Sequence, residues 1–435
     1  MKWEDRLDIG GLSDVGMRRS NNQDSFRILT APTVEQWRSR GHLFVVADGM
    51  GAHAVGELAS KMAVDSIAHS YHKLVQLPIP QAISKAVQDA NSLIHNRGTA
   101  NKEFQGMGTT STSLLLLPEG AMIAHVGDSR AYRVREGRIE QLSFDHSLAW
   151  ELVRRKQLTL EQARTMVPNN VITRSLGPEA HVDVDIEGPH AVLPGDVFVL
   201  CSDGLSGQVT DPDIGLVARH LPAQEACQYL IDMGNLRGGP DNITLIVVRV
   251  EDPSQSDPAI RIPDGLDKKP PPNYSTLLLT LGAVGAVLSA AMGIVSRLVW
   301  GEFGALGAGL LVGTAVASLA FLIGGLIWRR ITQPREPEEL PVPKATAYRQ
   351  APCVLDQAAL DRFNQRLQQL RAVAVEQVWN VDWTEFFAHR NNAEALVNAG
   401  DRVAALREFC LAQHLLSLGQ KRFQEQTQSL LGGTR

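Results

Sequence analysis

Two rhythms of apolar residues alternate through the first 252 positions. Unbroken apolar runs at 43–47, 113–117, 121–126, 196–201 and 243–250 predict buried strands. Between them, 57–73 and 80–96 carry apolar residues at helical spacing. Gly120 follows Pro118-Glu119 between two runs, and Arg135-Glu136-Gly137-Arg138 separates 131–134 from 139–142. Both are hairpin signals, so the sheets should be largely antiparallel rather than doubly wound. Residues 1–252 therefore read as one domain of helices and antiparallel strands.

The pattern then changes three times. Residues 253–275 are proline-rich and predict an extended spacer. Within 276–330, Leu277 to Ser296 runs twenty residues without a charge and Phe303 to Trp328 twenty-six. Either exceeds the roughly 18 apolar residues that suggest a membrane-spanning helix, and the six-residue connector makes the pair a hairpin. Gly309 and Gly313 suit close helix contact in lipid. Lys268 and Lys269 precede the hairpin and Arg329, Arg330 and Arg335 follow it, which puts both flanking portions in the cytoplasm of a cell membrane. After a second spacer, 331–351, residues 352–435 turn helical. Leu355, Leu360, Phe363, Leu367, Leu370 and Val373 keep helical spacing, and 392–399, Gly400-Asp401 and 402–418 read as two helices joined by a tight turn. This pair is similar to a single tetratricopeptide-type unit and is expected to form a small partner-binding or self-association module, the alternative being a merely structural helical tail.

A net charge of −5 argues against a nucleic-acid binder. Cys201, Cys227, Cys353 and Cys410 are scattered, without zinc or disulfide spacing, and are expected to be buried thiols. The acidic N-terminus has no apolar stretch of the secretory type.

Against this background the ends of the strands stand out. The run 43–47 stops at Asp48-Gly49, and 197–201 leads to Ser202-Asp203-Gly204. The run ending at Val126 leads to Gly127-Asp128, and Asp241-Asn242 precedes Ile243. One Asp-Gly after a strand is a turn. Four acidic residues at strand ends can converge on one edge of a fold, where carboxylates and a backbone carbonyl suit hard cations such as Mg²⁺ or Mn²⁺.

Seven segments, in order, resemble the metal-dependent Ser/Thr protein phosphatases of type 2C, nearest to their bacterial branch. They are Ser13 to Ser25, Val46-Ala-Asp48-Gly-Met-Gly51, Gly106-Met-Gly-Thr-Thr110, His125-Val-Gly-Asp128-Ser-Arg130, Asp145-His-Ser147, Leu200-Cys-Ser-Asp203-Gly-Leu205 and Gly239-Pro-Asp241-Asn-Ile-Thr244. The resemblance covers about residues 8–250. It implies an α+β fold, an α-β-β-α sandwich of two antiparallel sheets flanked by helices. It also implies hydrolysis of phosphoserine and phosphothreonine on proteins, opposing Ser/Thr kinases, with two Mn²⁺ or Mg²⁺ ions and a weaker third. Two such cations can bridge one water, make it hydroxide-like at neutral pH and offset phosphoryl charge. By the same resemblance Asp48 bridges the ions and the Gly49 carbonyl binds one of them. Asp203 and Asp241 complete the first ion's shell, and Asp128 with Asp203 holds the third. Arg19 binds the substrate phosphate, since a planar guanidinium can clamp two of its oxygens, and Asp24 and Asn242 support the metal shell. Residues 145–177 correspond to the family's mobile flap.

The sequence departs from the family in two places. Gln23 stands where many members have Glu, removing a negative charge near the second metal, and Met50 stands where animal members have a histidine. His53 is not assigned a role. The competing function class is a catalytically silent phosphatase fold serving as a membrane scaffold through its C-terminal helices; retention of every metal aspartate speaks against it. A sensor working through the hairpin is disfavoured by its short external turn.

Overall fold

In the computed structural model, residues 7–51, 55–168, 171–251 and 347–432 are described, and all five apolar runs lie in strands. The chain begins β1 (Leu7–Asp14), β2 (Asp24–Leu29), α1 (Val34–Arg40), β3 (His42–Met50), α2 (Val55–Lys73) and α3 (Ile79–Ala100). A short β4 (Gly108–Thr109) leads into β5 (Ser111–Leu117), β6 (Gly120–Val126), β7 (Arg130–Arg135) and β8 (Arg138–Gln141). Helices α4 (Leu148–Arg154) and α5 (Leu160–Met166) precede β9 (Asp185–His190) and β10 (Val197–Cys201). Then come α6 (Asp203–Ser206), α7 (Asp211–His220), α8 (Ala223–Leu236) and β11 (Ile243–Val250). The C-terminal part holds β12 (Arg349–Pro352), α9 (Gln357–Glu376), α10 (Trp383–Ala399) and α11 (Arg402–Gly432).

The first sheet runs β1-β11-β10-β7-β8-β12 and the second β2-β3-β5-β6-β9, with β4 beside the end of β3. Every pairing is antiparallel, including both expected hairpins, β5–β6 and β7–β8. Alternation along β3 explains the layering. Leu43, Val45 and Ala47 pack with Ile67 and Tyr71 of α2 and Ile83 of α3. Phe44 and Val46 face the other way, with Phe198, Leu200 and Ile246 of the first sheet. The outer face of the first sheet is covered by α7 and α8. Side chains buried on both faces, each worth about 1.5–3 kcal/mol, make β3 an interior strand of the second sheet, between β2 and β5, and hold its end rigid. The expected sandwich is present.

The domain limits differ from the sequence reading. The boundary set at residue 351 falls inside β12, which pairs with β8 from Arg349↔Gln141 to Pro352↔Arg138 and covers an otherwise open sheet edge. The tail set apart as a module at 352–435 shares the hydrophobic cluster of the first sheet. Leu360, Phe363, Phe386, Phe409 and Leu416 pack in one core with Leu230 and Ile231 of α8, and the described residues before and after the interruption form one compact unit. Helical periodicity reveals an apolar stripe but not what covers it. Here the cover is the outer face of α8 and the first sheet of the same chain. The tight turn is as expected, with Gly400 in the left-handed region at φ 82° closing α10.

The spacer at 253–275 and the hairpin at 276–330 lie outside the described residues. Among the described residues, no helix is long and apolar enough to cross a membrane.

Where α11 meets α8, His414 Nδ1 lies 2.7 Å from Asp232 Oδ2. This contact with a buried carboxylate raises the histidine's pKa, outweighing burial. The resulting stabilisation is complete below the unfolded value near 6.5 and is lost as pH rises through the folded value. Thermal melting of His414→Gln should accordingly fall short of wild type most at pH 5.5–6 and least at pH 8.5. A deficit independent of pH would mean that the imidazole acts by shape alone.

Candidate metal centre

All five aspartates gather at one edge of the sandwich. Asp24 opens β2 and stands opposite Asp48 of β3. Asp128 follows β6, Asp203 opens α6 after β10, and Asp241 precedes β11. The charges sense one another: burial pushes the Asp48 carboxyl well above the usual range, with Asp24, Asp203, Asp128 and Asp241 adding to the effect. Asp128 and Asp203 are raised by burial and neighbouring carboxylates in the same way. Asp24 is pushed up to about 7, chiefly by burial.

The backbone around Asp48 is fixed by residues that the sequence reading left without a role. Its N–H donates to Thr110 Oγ1 at 2.8 Å, while its carbonyl accepts from the Thr110 N–H at 2.9 Å and the Thr109 hydroxyl at 2.8 Å. Thr110 Oγ1 is 2.8 Å from Ser129 Oγ, which ties the Asp48 strand to the turn carrying Asp128. His146 grips that turn from behind. Its Nδ1 accepts from the Gly127 N–H at 3.0 Å and its own N–H donates to the Gly127 carbonyl at 2.7 Å. With Nδ1 an acceptor, Nε2 carries the proton and points at Asp185 Oδ2, 2.9 Å away. The Gly106-Met-Gly-Thr-Thr and Asp145-His-Ser segments were the available signals for these supports.

Asp24 accepts a 2.7 Å hydrogen bond from the Ser202 hydroxyl, linking the second sheet to the strand end that delivers Asp203. Asn242 has a different place from the one expected. Its amide donates to the carbonyls of Val15 and Asn21 at 2.9 and 3.0 Å, and its Oδ1 accepts from the Gln23 N–H at 2.8 Å. It pins the backbone that leads into Asp24. Gln23 donates from Nε2 to the Gly51 carbonyl at 3.2 Å, a bond that a glutamate side chain could not make. Its carbonyl accepts from the Gly49 N–H at 3.1 Å. Arg19 is half exposed at the rim, its Nη2 2.9 Å from Asp241 Oδ2. His53 lies outside the described residues. Cys201, although two residues from Asp203, is fully buried with its thiol pushed up to about 12, first by burial, which removes it as a nucleophile.

The donor set fits divalent cations. One buried oxygen each of Asp24, Asp128 and Asp203 has no hydrogen-bond partner, an arrangement that costs free energy unless positive charge comes to it. Among the described residues no three His, Cys, Asp or Glu side chains converge closely enough to hold one ion alone. Carboxylates arranged around a shared polar space, rather than a closed cage, suit ions that retain several waters, as Mg²⁺ does.

Known proteins resemble this chain across the part that carries the site. A family model described as Protein phosphatase 2C matches residues 17–230. A putative protein phosphatase 2C-type protein of Streptococcus pyogenes is 36% identical over 244 residues, covering 55% of this chain and 96% of that protein. The protein phosphatase PhpP of Streptococcus pneumoniae is 32% identical over 251 residues, 57% of this chain and 98% of its own. Among solved structures, the Mycobacterium tuberculosis serine/threonine phosphatase PstP/Ppp superposes with a TM-score of 0.51 at 32% identity, covering 57% of this chain and 99% of that one.

Proposed function

Because this chain belongs to the protein phosphatase 2C family, we propose that it hydrolyses phosphoserine and phosphothreonine on proteins at the five-aspartate edge, opposing Ser/Thr kinases from the cytoplasmic face of a membrane. It is a metal-dependent Ser/Thr protein phosphatase, with Mn²⁺ or Mg²⁺ as cofactor. The observation that carries the mechanistic reading is the set of buried, unpartnered carboxylate oxygens on Asp24, Asp128 and Asp203 around Asp48. Asp48, the Gly49 carbonyl, Asp203 and Asp241 would hold two ions, and Asp128 with Asp203 a third. Bound there, divalent cations supply an activated water and neutralise phosphoryl charge. Asp48 is kept in place by Thr109 and Thr110, so its carboxylate needs no rearrangement to serve. Arg19, reaching the same space from the rim, turns its fork to the phosphate oxygens and orients the ester. Asp24, held by Ser202, fixes the spacing between the strand ends.

The silent-scaffold alternative loses support because the apolar face of the C-terminal helices is spent on the domain itself. Membrane anchoring rests on the two uncharged stretches in 276–330. The residues on either side pack into one compact unit, so both ends of that segment lie on the same side of any bilayer.

The test uses the full chain. Metal-depleted protein should release no phosphate from a phosphothreonine peptide, and added Mn²⁺ should restore turnover. Arg19→Ala should raise KM about 10-fold or more, the worth of hydrogen bonds to a charged group. Turnover by metal-depleted protein, or its absence from folded, Mn²⁺-loaded protein, would overturn the reading.

A further inference from the structure

The loop joining β1 to β2, residues 15–23, carries Arg19 and is held from two sides. On one side stand the residues before β11. The Met17 N–H donates to the Gly239 carbonyl at 2.8 Å, and Asn242 holds the carbonyls of Val15 and Asn21. Gly16, at φ +79°, lies so near Asp241 that a Cβ would sit 2.1 Å from its carbonyl oxygen. On the other side stands α11. Lys421 Nζ lies 2.6 Å from Asp14 Oδ2, and the Gln424 side chain donates to the Met17 carbonyl. The other oxygen of Asp14 accepts from the Gly16 N–H at 2.9 Å and from Asn235 at 3.1 Å.

These contacts end a stripe along α11. Arg407 pairs with Glu225 at 2.7 Å and His414 with Asp232 at 2.7 Å, both on α8; Lys421 then pairs with Asp14. Seven-residue spacing keeps all three on one face, and at 1.5 Å per residue the stripe is about 21 Å long. Docking on α8 accounts for the first two pairs and the apolar core beneath them. It does not account for Gln424, which binds the loop of the phosphate-clamping arginine at Met17, or for Lys421, which binds Asp14 at the end of β1, whose carboxylate in turn holds the Gly16 N–H.

We propose that Lys421 and Gln424 are positioning residues for Arg19: α11 acts as a strut that fixes the β1–β2 loop, so that the guanidinium meets the substrate phosphate in one preset geometry. The proposal rests on the reading of Arg19 as the phosphate clamp. Arg19 is half exposed, on a loop without regular secondary structure. Its order comes from the Asp241 carboxylate at the end of its side chain and from the anchors of its loop. Releasing two of them makes each binding event bear the entropy of fixing the loop. Metal binding should be spared, because Asp48 takes its position from Thr109 and Thr110 and Asp203 from β10.

The experiment compares Lys421→Met and Gln424→Ala, alone and combined with Arg19→Ala, in the full chain. Each should raise KM for a phosphothreonine peptide about 3- to 10-fold, and weaken inhibition by inorganic phosphate by the same factor, with kcat and the Mn²⁺ half-saturation changed less than about twofold. Lys421→Arg should restore the wild-type values. In the Arg19→Ala background the α11 substitutions should add nothing, because the group they position is gone. Equal factors in both backgrounds, or a fall in kcat with KM and phosphate inhibition unchanged, would overturn the strut. If Arg19→Ala itself leaves KM and phosphate inhibition unaltered, the clamp reading fails and the strut with it, a pattern distinct from additivity. Should Lys421→Met fail to fold, Gln424→Ala, which removes a single hydrogen bond, decides the same question.

Discussion

Asp48→Asn should abolish Mn²⁺-dependent phosphate release while making the metal-depleted protein more resistant to heat. Both halves follow from the same crowding. Asp48 stands among four other aspartates, and its carboxyl is raised first by desolvation and then by their charge. Without cations the wild-type protein carries that repulsion as a cost. An asparagine of the same shape removes one charge from the cluster and brings an amide that can donate toward the neighbouring carboxylates. Relief of about 1 kcal/mol would raise the melting temperature by roughly 2–4 °C. The sign with pH is fixed. A carboxyl whose folded pKa lies above its unfolded value loses native-state stability as pH rises from the unfolded value of about 3.9 toward the folded one, so the advantage of the variant should grow with pH across that range. Activity moves the other way. Removing a preorganised electrostatic group costs on the order of 10²–10³ in rate, and loss of the bridging carboxylate should reach at least that. Stabilisation of the wild type by added Mn²⁺ should also shrink in the variant. Calorimetry with and without the metal, beside a phosphate-release assay, checks all three. A variant that melts lower at every pH, or still turns over with Mn²⁺, would remove Asp48 from the centre of the site.

The carboxylates were legible because each interrupts an apolar strand at its end, a break that periodicity exposes: Asp48 after 43–47, Asp203 after 197–201, Asp241 before 243–250. Their supports were not, because Thr109, Thr110, Ser129 and His146 act across separations of 19 to 62 residues in sequence, through register and hydrogen bonds. Nothing in a threonine says that its hydroxyl will hold the carbonyl of Asp48. Family resemblance alone assigns Asn242 to the support of the metal shell; its amide is occupied by the backbone at Val15, Asn21 and Gln23, so what support it gives passes through that backbone. The C-terminal part was hidden for another reason. Arg349 to Pro352 shows no apolar alternation after a proline-rich stretch, so it read as spacer; only the open edge of β8 makes it a strand. The stripe Leu360, Phe363, Leu367 was visible, but a stripe is equally suited to a partner, a second copy or the same chain, and the choice is made by the surface of α8.

Gly49→Ala carries the second large effect, and it isolates space from flexibility. Gly49 lies in extended β3, paired with Thr109, so its backbone conformation is open to any residue. Space is the constraint. A Cβ at this position would lie 2.1 Å from the Gly56 carbonyl oxygen and 2.5 Å from that of Gln23. Neither atom can rotate away, because both are backbone: Gly56 is in the first turn of α2, and the Gln23 carbonyl is held by the Gly49 N–H and, at 2.6 Å, by the Ser60 hydroxyl. One added carbon must therefore displace the start of α2 or the approach to Asp24. The first element is docked by Ile67 and Tyr71 in the core, and the second is tied through Asn242. Overpacking at a yielding site costs about 1–3 kcal/mol, occasionally more; against backbone on two sides the cost should be at the top of that range or above it. Whichever element gives way, Asp24, Asp48 and the Gly49 carbonyl lose their mutual placement, so saturating Mn²⁺ should not rescue turnover. Thermal unfolding and a Mn²⁺ titration of phosphate release measure the two consequences separately. Wild-type melting with lost metal response would locate the displacement in the β2 entry alone, whereas wild-type values in both would show that the second residue of the Asp-Gly pair is not there for want of space.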